Sequence, residues 1–140
     1  MDYRINNEAL VACVAAQVVK NGNHKLSAVV GMTNLLMHDR ERKHMLLSDN
    51  VEDIACIIGQ LDGGLLTIIM NSIVMMIQGG CVTFGEDVLM LTDSGMSLCE
   101  QMEDRRSRTL GTIMDDIPDV MRKMNELGIA FEDNRYMIAL

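Results

Sequence analysis

The chain has 140 residues, 49% of them hydrophobic, with a mean hydropathy of +0.14 and a formal net charge of −8. This length fits a single domain over residues 1–140, and the apolar content excludes an intrinsically disordered chain. The longest apolar run, Leu65 to Ile77, is shorter than the roughly 20 residues that a membrane-spanning helix needs. Because the first residues also lack a signal-peptide pattern, we expect a cytoplasmic protein.

The first part of the chain predicts three or four helices. Asn6 can cap the first helix, with Ile5 and Leu10 at the spacing of a hydrophobic staple, and Gly22 follows its end. Further on, apolar residues recur every three or four positions, which is the helical period. The predicted helices cover 6–20, 26–38 and 51–61, while 39–47 is either a continuation of the second helix or a separate one. Ser48, Asp49 and Asn50 form a loop and N-cap cluster before the helix at 51–61.

The stretch from Leu65 to Ile77 is apolar on nearly every helical face, so we predict that it is the central buried helix. Gly79 and Gly80 end it. Two short apolar runs follow, at 81–84 and 88–91, separated by a three-residue connection that contains glycine and is typical of a hairpin.

A further helix is predicted to begin after this hairpin, with Thr92 or Asp93 as its N-cap. The order of elements predicts a mainly α domain with a small β-hairpin, similar to a winged helix-turn-helix. In that fold, 51–61 and 65–77 take the helix-turn-helix positions within core helices 6–78, and 81–91 forms the wing.

The C-terminal part predicts helices over 93–127 and a short tail. The apolar pattern that starts at Asp93 continues past Arg108 as far as Ile117. Proline is favoured at the first position of a helix, so a new helix is expected to start at Pro118 and to end at Gly128. The tail 128–140 is apolar for a terminus, and we expect it to dock on this domain or on a partner.

Charge is distributed unevenly along the chain. The span from His44 through Asp104 has no Lys or Arg and carries ten acidic residues, a formal charge of −10. Basic residues cluster at both of its borders, where they are either a solvated helix face or contacts to a partner or a nucleic-acid backbone. The candidate contact residues are Arg40, Arg42, Lys43, Arg105, Arg106 and Arg108.

A DNA-reading role is disfavoured by the same distribution. The predicted recognition helix has Thr67, Asn71, Ser72 and Gln78 as its polar residues and no cation, and the predicted wing tip is acidic. Phosphates would be repelled by such a surface. A winged helix that binds protein therefore fits the sequence better than one that reads DNA.

Residues that could support catalysis or bind a metal do not form a recognisable motif. His38 and His44 are six positions apart, which places them on different helical faces, and no Cys-x-x-Cys pair accompanies them. The paired glycines lack the Lys-Ser/Thr of a phosphate loop. The four cysteines are expected to be reduced core thiols. We therefore predict no enzymatic activity and no cofactor.

Several segments resemble a known family. The start 5–10 (Ile-Asn-Asn-Glu-Ala-Leu), the segment 35–39 (Leu-Leu-Met-His-Asp) with Met45-Leu46, the apolar helix followed by Gly-Gly-x-Val and a hairpin, and Leu127-Gly128 are similar to the middle components of three-component ABC ATPase systems. These systems include the Lamassu-type antiphage defence complexes.

This resemblance implies a non-enzymatic accessory subunit. Its partners would be a coiled-coil SMC-like ATPase and an effector such as a nuclease, and it would contact DNA mainly through the complex. The alternative is a winged-helix transcriptional regulator that reads DNA with an unusual surface.

Overall fold

The computed structural model describes residues 3–61, 63–129 and 131, and the side chains of this part from residue 8 onwards. This part of the chain is mainly helical, with one antiparallel hairpin. The helices are α1 (Tyr3–Lys20), α2 (Leu26–Met37), α3 (Asp39–Leu47), α4 (Val51–Gly59), α5 (Leu66–Gln78), α6 (Asp93–Asp104) and α7 (Arg108–Leu127), with a 3-10 turn at Gly63–Leu65. The strands are β1 (Val82–Gly85) and β2 (Val88–Leu91).

Helix α1 is the element around which the others pack: it contacts α2, α5, α6, α7 and β2. Its start differs from the prediction, since Asn6 lies inside the helix and does not cap it. The staple predicted between Ile5 and Leu10 involves a side chain outside the described ones. Helix α1 continues one turn further towards the N-terminus than the Asn6 signal indicated.

Helix α2, and not α5, is the most completely buried helix. Ten of the twelve residues of α2 are buried, against five of the thirteen in α5. Helix α5 has apolar residues on most of its surface, but the outer side, including Met75, faces solvent. The helix predicted at Leu65–Ile77 therefore forms, but the prediction that it is the central buried helix was wrong, because apolar composition does not show which face is covered.

The predicted hairpin forms, with Val82 opposite Leu91 and Gly85 opposite Val88. The loop is tighter than predicted, because only Glu86 and Asp87 lie between the paired ends. Both have positive φ (54° and 64°), as a two-residue type I′ turn requires. The carbonyl of Asp87 accepts a hydrogen bond from the backbone N–H of Leu26 at 3.1 Å.

The segment between α1 and α2 contacts this hairpin through an isolated β-bridge beside β2. Lys25 forms an antiparallel bridge with Val88, and the N–H of Leu89 donates to the carbonyl of His24 at 2.6 Å. The ring of His24 also lies 3.1 Å from the carbonyl of Leu89, measured from Nδ1. The hairpin is thus attached to the segment just before α2, although His24 and Leu89 are 65 positions apart in the sequence.

Helix α3 is separate from α2, because His38 (φ −98°, ψ 88°) interrupts the helical backbone. At the other end of α3, the ammonium group of Lys123 in α7 donates to the carbonyls of Leu46 and Ser48 at 2.8 and 2.6 Å. These carbonyls lie where the helix leaves them without intrahelical partners. Lys123 thereby links α7 to the end of α3.

Helix α4 packs principally against α3, whereas α5 packs against α1 and α2. The two segments predicted for the helix-turn-helix positions are therefore not the principal packing pair. Asn50 caps α4 by accepting the N–H of Asp53 at 3.1 Å, in agreement with the predicted N-cap cluster.

Helices α6 and α7 are divided differently from the prediction. The Thr92 hydroxyl caps α6, and Ser107 caps α7 by accepting the N–H of Leu110 at 3.1 Å. Pro118 lies inside α7 and does not start a helix. An exposed proline is tolerated there because Ile117 and Val120 on either side are fully buried and hold the helix against the core.

Gly128 ends α7 in the left-handed conformation (φ 68°), as predicted. The chain then returns to the core: Phe131 is buried against Gly31 of α2. Docking of the C-terminal segment is thus observed at Phe131, while the rest of the predicted tail, 132–140, lies outside the described residues.

Candidate partner-binding surfaces

A groove of about 530 Å³ lies between α1 and α5. From α1, Glu8, Ala9 and Ala12 line it, and Cys81 lies at its end beyond α5. The remaining lining residues come from one face of α5: Ile68, Asn71, Ser72, Met75 and Met76. This volume falls within the range of roughly 300–1,000 Å³ that is usual for binding clefts.

The groove follows directly from residue size and helical spacing. On α1, Ala9 and Ala12 are small and leave space that larger side chains would fill. On α5, Ile68, Met75 and Met76 belong to a set at positions i, i+3, i+4, i+7 and i+8, which share one face of a helix. Two packed helices with small residues on one wall and large apolar residues on the other leave an apolar channel.

Met75 is the most exposed large apolar residue of α5, with 70% of its surface accessible to solvent. Single exposed apolar residues are ordinary, but Met75 borders a groove whose wall continues to Ile68 and Met76. Methionine is flexible and polarisable, and it recurs at surfaces that accept partner helices. The groove is thus an apolar site that this part of the chain leaves uncovered.

A second group of exposed apolar residues lies on the hairpin and the start of α6. Phe84, Val88, Met90 and Met96 are each between 37% and 56% exposed. Val88 and Met90 point to the same side of β2, because alternate residues of a strand share a face. The hairpin therefore presents apolar side chains and, at its tip, the acidic Glu86.

The basic residues predicted to contact a partner fall into two groups with different surroundings. Arg42 is 1% exposed, so the prediction that it is exposed was wrong. Its Nε donates to Asp116 at 2.8 Å, its Nη1 lies 2.7 Å from an oxygen of Asp39, and it donates to the carbonyl of Leu36. Arg42 is a buried structural residue that joins α3 to α7.

The other predicted contact residues are all exposed: Arg40, Lys43, Arg105, Arg106 and Arg108. Arg106 pairs with Asp115 across 3.2 Å. Lys43 of α3 and Arg108 of α7 both line a second cleft, of about 220 Å³, which Thr109 and Thr112 share. The structure thus brings together basic residues from both borders of the acidic span, although they are 65 positions apart in the sequence.

The histidines and cysteines are dispersed. Within the described ranges, no group of three or more His, Cys, Asp or Glu side chains could hold a metal ion. Cys56 is exposed, contrary to its prediction as a core thiol, whereas Cys99 is fully buried. Burial raises the pKa of the Cys99 thiol to about 11, so this thiol is protonated at neutral pH.

Among the described helices, none alone is long and apolar enough to cross a membrane. Helix α4 and the stretch Gly63–Gln78 reach the required length and composition only as a pair, and that pair is bent by 51°.

Comparison of the chain with protein-family models, with curated proteins and with solved structures finds no match.

Proposed function

We propose that this chain is a non-enzymatic adaptor subunit of an SMC-like ABC ATPase defence complex, in which it bridges the ATPase and an effector such as a nuclease. The type of complex comes from the sequence resemblance to the middle components of such systems. The observation that carries an adaptor role is the apolar groove between α1 and α5, with Met75 70% exposed at its edge.

The charge of the chain supports a protein partner over a nucleic acid at this surface. Helix α5 and Cys81 belong to the span that lacks Lys and Arg, and Glu8 faces the same groove from α1. Among the described residues that line the groove, Glu8 is the only charged one, so a phosphate bound there would meet a negative side chain and no cation. Burial of apolar surface is the interaction that remains available, and it contributes roughly 25 cal/mol per Å² removed from water.

Co-purification from the native host tests the adaptor role. The tagged chain is recovered after a high-salt wash, which weakens contacts between exposed charges but not burial of apolar surface. Ala9→Trp is the test variant, since Ala9 is exposed and lines the groove, and Ala55→Trp on the exposed side of α4 is its matched control.

We expect the unsubstituted chain and Ala55→Trp to retain an SMC-like ATPase and a second protein through the wash, and Ala9→Trp to lose them. Retention of both proteins by Ala9→Trp would show that the groove does not bind these partners. Recovery of the tagged chain alone would contradict the adaptor role.

A winged-helix DNA-binding regulator is the second candidate. It is favoured by the isolated bridge between Lys25 and Val88, which attaches the start of α2 to strand β2 of the predicted wing. If this function holds, the isolated protein retards a specific duplex, and the binding constant falls steeply with salt. Insensitivity of retardation to salt, or no retardation, argues against the regulator.

A further inference from the structure

The groove between α1 and α5 has a length and a lining that fit a third helix. The face of α5 that lines it runs from Ile68 to Met76, about 12 Å along the helix axis, or two turns. The opposite wall contributes one turn of α1, from Glu8 to Ala12. A helix laid into such a groove presents apolar residues at positions i, i+3, i+4 and i+7, which fits two turns.

The polar groups of the groove do not converge as they would around a small ligand. Asn71 is exposed, Ser72 is buried within the face of α5, and Glu8 stands on the other wall. Small-molecule sites usually combine an apolar lining with several polar groups aimed at one point. The regular helical spacing of the lining residues favours an occupant with the same spacing.

Charge selects among the possible helices. Among the described residues that line the groove, Glu8 is the only one that is charged at neutral pH. Helix α5 itself carries no charged residue, and helices α4 and α6 of the same acidic span carry acids but no Lys or Arg. A second copy that placed its α4 or α6 in the groove would bring like charges beside Glu8, which is unfavourable.

We infer that the groove binds an amphipathic helix of a partner protein, one with a two-turn apolar stripe flanked by Lys or Arg. This inference rests on the proposed adaptor function and adds the chemistry of the partner segment. The apolar stripe packs between Ala9 and Met75, and a basic flanking residue lies beside Glu8. Complementary charge selects this helix over acidic ones and speeds its association.

Two synthetic peptides of roughly 15 residues test the inference, since helices of that length begin to be stable in water. Both carry leucine at i, i+3, i+4 and i+7; one has lysines beside this stripe, and the other has glutamates at the same positions. Binding of each labelled peptide to the full-length protein is measured by fluorescence anisotropy at low and at high salt.

The lysine-flanked peptide is expected to bind about tenfold or more tightly than the glutamate-flanked one at low salt, with a smaller ratio at high salt. Ala9→Trp is expected to abolish binding, and Ala55→Trp to leave it unchanged. Glu8→Gln, which keeps the size of the side chain, is expected to reduce the preference between the two peptides.

Equal affinity for the two peptides, or tighter binding of the glutamate-flanked one, would overturn the inference. Self-association of the chain that Ala9→Trp abolishes would overturn it in favour of a second copy. Binding of neither peptide would also overturn the inference. If Ala9→Trp nevertheless loses the co-purified partners, the proposed adaptor function stands without the inference about the partner helix. If the unsubstituted protein binds the lysine-flanked peptide but Ala9→Trp still retains the co-purified partners, the proposed function of the groove is rejected, and the inference about its ligand is not.

Discussion

The contact between Gly31 and Phe131 predicts that Gly31→Ala destabilises the protein when the Phe131 ring is present and stabilises it when the ring is removed. A Cβ atom added at Gly31 would lie 2.4 Å from both Cδ1 and Cγ of Phe131 and 2.8 Å from its Cβ. These atoms are near the backbone of Phe131 and cannot swing away as the end of a flexible side chain would. Gly31→Ala must therefore displace the docked Phe131.

The expected magnitude combines two opposing effects. Overpacking in a core costs about 1–3 kcal/mol, and three contacts this short place it near the upper end. Alanine recovers about 1 kcal/mol of helix propensity inside α2. The net loss for Gly31→Ala is about 1–2 kcal/mol, which lowers the melting temperature of a chain of this size by about 3–8 °C.

Removal of the Phe131 ring should turn the effect of Gly31→Ala from destabilising to stabilising. In a Phe131→Ala background the steric conflict is gone, so Gly31→Ala should raise the melting temperature by about 3–4 °C through helix propensity alone. Thermal unfolding of the four proteins of this double-mutant cycle, followed by circular dichroism, measures the coupling between the two sites. A stabilising effect of Gly31→Ala in both backgrounds would show that Phe131 does not pack on Gly31.

Four further predictions follow from single sites. Arg42→Met should lower the free energy of unfolding in urea by about 2–3 kcal/mol, since two carboxylates and a carbonyl lose their donor. Gly95→Ala should cost about 3 kcal/mol in the same assay, because its Cβ would lie 2.0 Å from the carbonyl oxygen of Cys81. Pro118→Ala should raise stability by about 1–3 kcal/mol by restoring a hydrogen bond inside α7. The exposed Cys56 should react with a thiol reagent at pH 8, while Cys99, buried and with a pKa of about 11, should react only on unfolding.

Each of these predictions has an outcome that contradicts it. An unchanged midpoint for Arg42→Met would mean that the guanidinium is hydrated and not buried. Gly59→Ala, where a Cβ meets nothing within 4 Å, is the control for Gly95→Ala, and equal effects would reject the close approach. No gain from Pro118→Ala would favour a helix that starts at the proline. Equal rates of reaction for Cys56 and Cys99 would reject the burial of Cys99.

The raised pKa of Cys99 also predicts the direction of a pH dependence. The unfolded chain loses this proton near the ordinary value of 9.0, and the folded chain only near 11. Above pH 9 the unfolded state therefore binds fewer protons, and the free energy of unfolding decreases as the pH rises towards 11. Cys99→Ala should remove this part of the decrease.

Local signals in the sequence predicted the elements and several of their ends. Asn50, Thr92 and Gly128 act through hydrogen bonds or backbone conformations within a few residues, so the sequence pattern is sufficient to locate them. Helix α2 and the hairpin strands were placed to within one residue for the same reason. Pro118 was misplaced because its local preference for a helix start yields to the buried residues on both sides of it.

The surfaces could not be predicted in the same way, because they depend on contacts between distant segments. Arg42 lies in a cluster of charged residues, and only the position of Asp116 in α7 shows that its guanidinium is buried. The groove requires Ala9 and Met75 to line it from two helices that are in contact but are separated in the sequence by α2, α3 and α4. The pairing of Gly31 with Phe131 explains the glycine inside α2, but no signal near Gly31 indicates its partner.

Site-specific photo-crosslinking at the groove tests most directly whether it binds a partner. A photoreactive residue replaces Met75 in the groove or, as the control, Met90 on the hairpin, and the crosslinked peptides from the native host are sequenced by mass spectrometry. We expect Met75 to capture one segment of an SMC-like ATPase or its effector, with an apolar helical stripe flanked by basic residues, and Met90 not to capture it. Capture of that segment from Met90 alone, or of acidic segments or a second copy from Met75, would contradict the account.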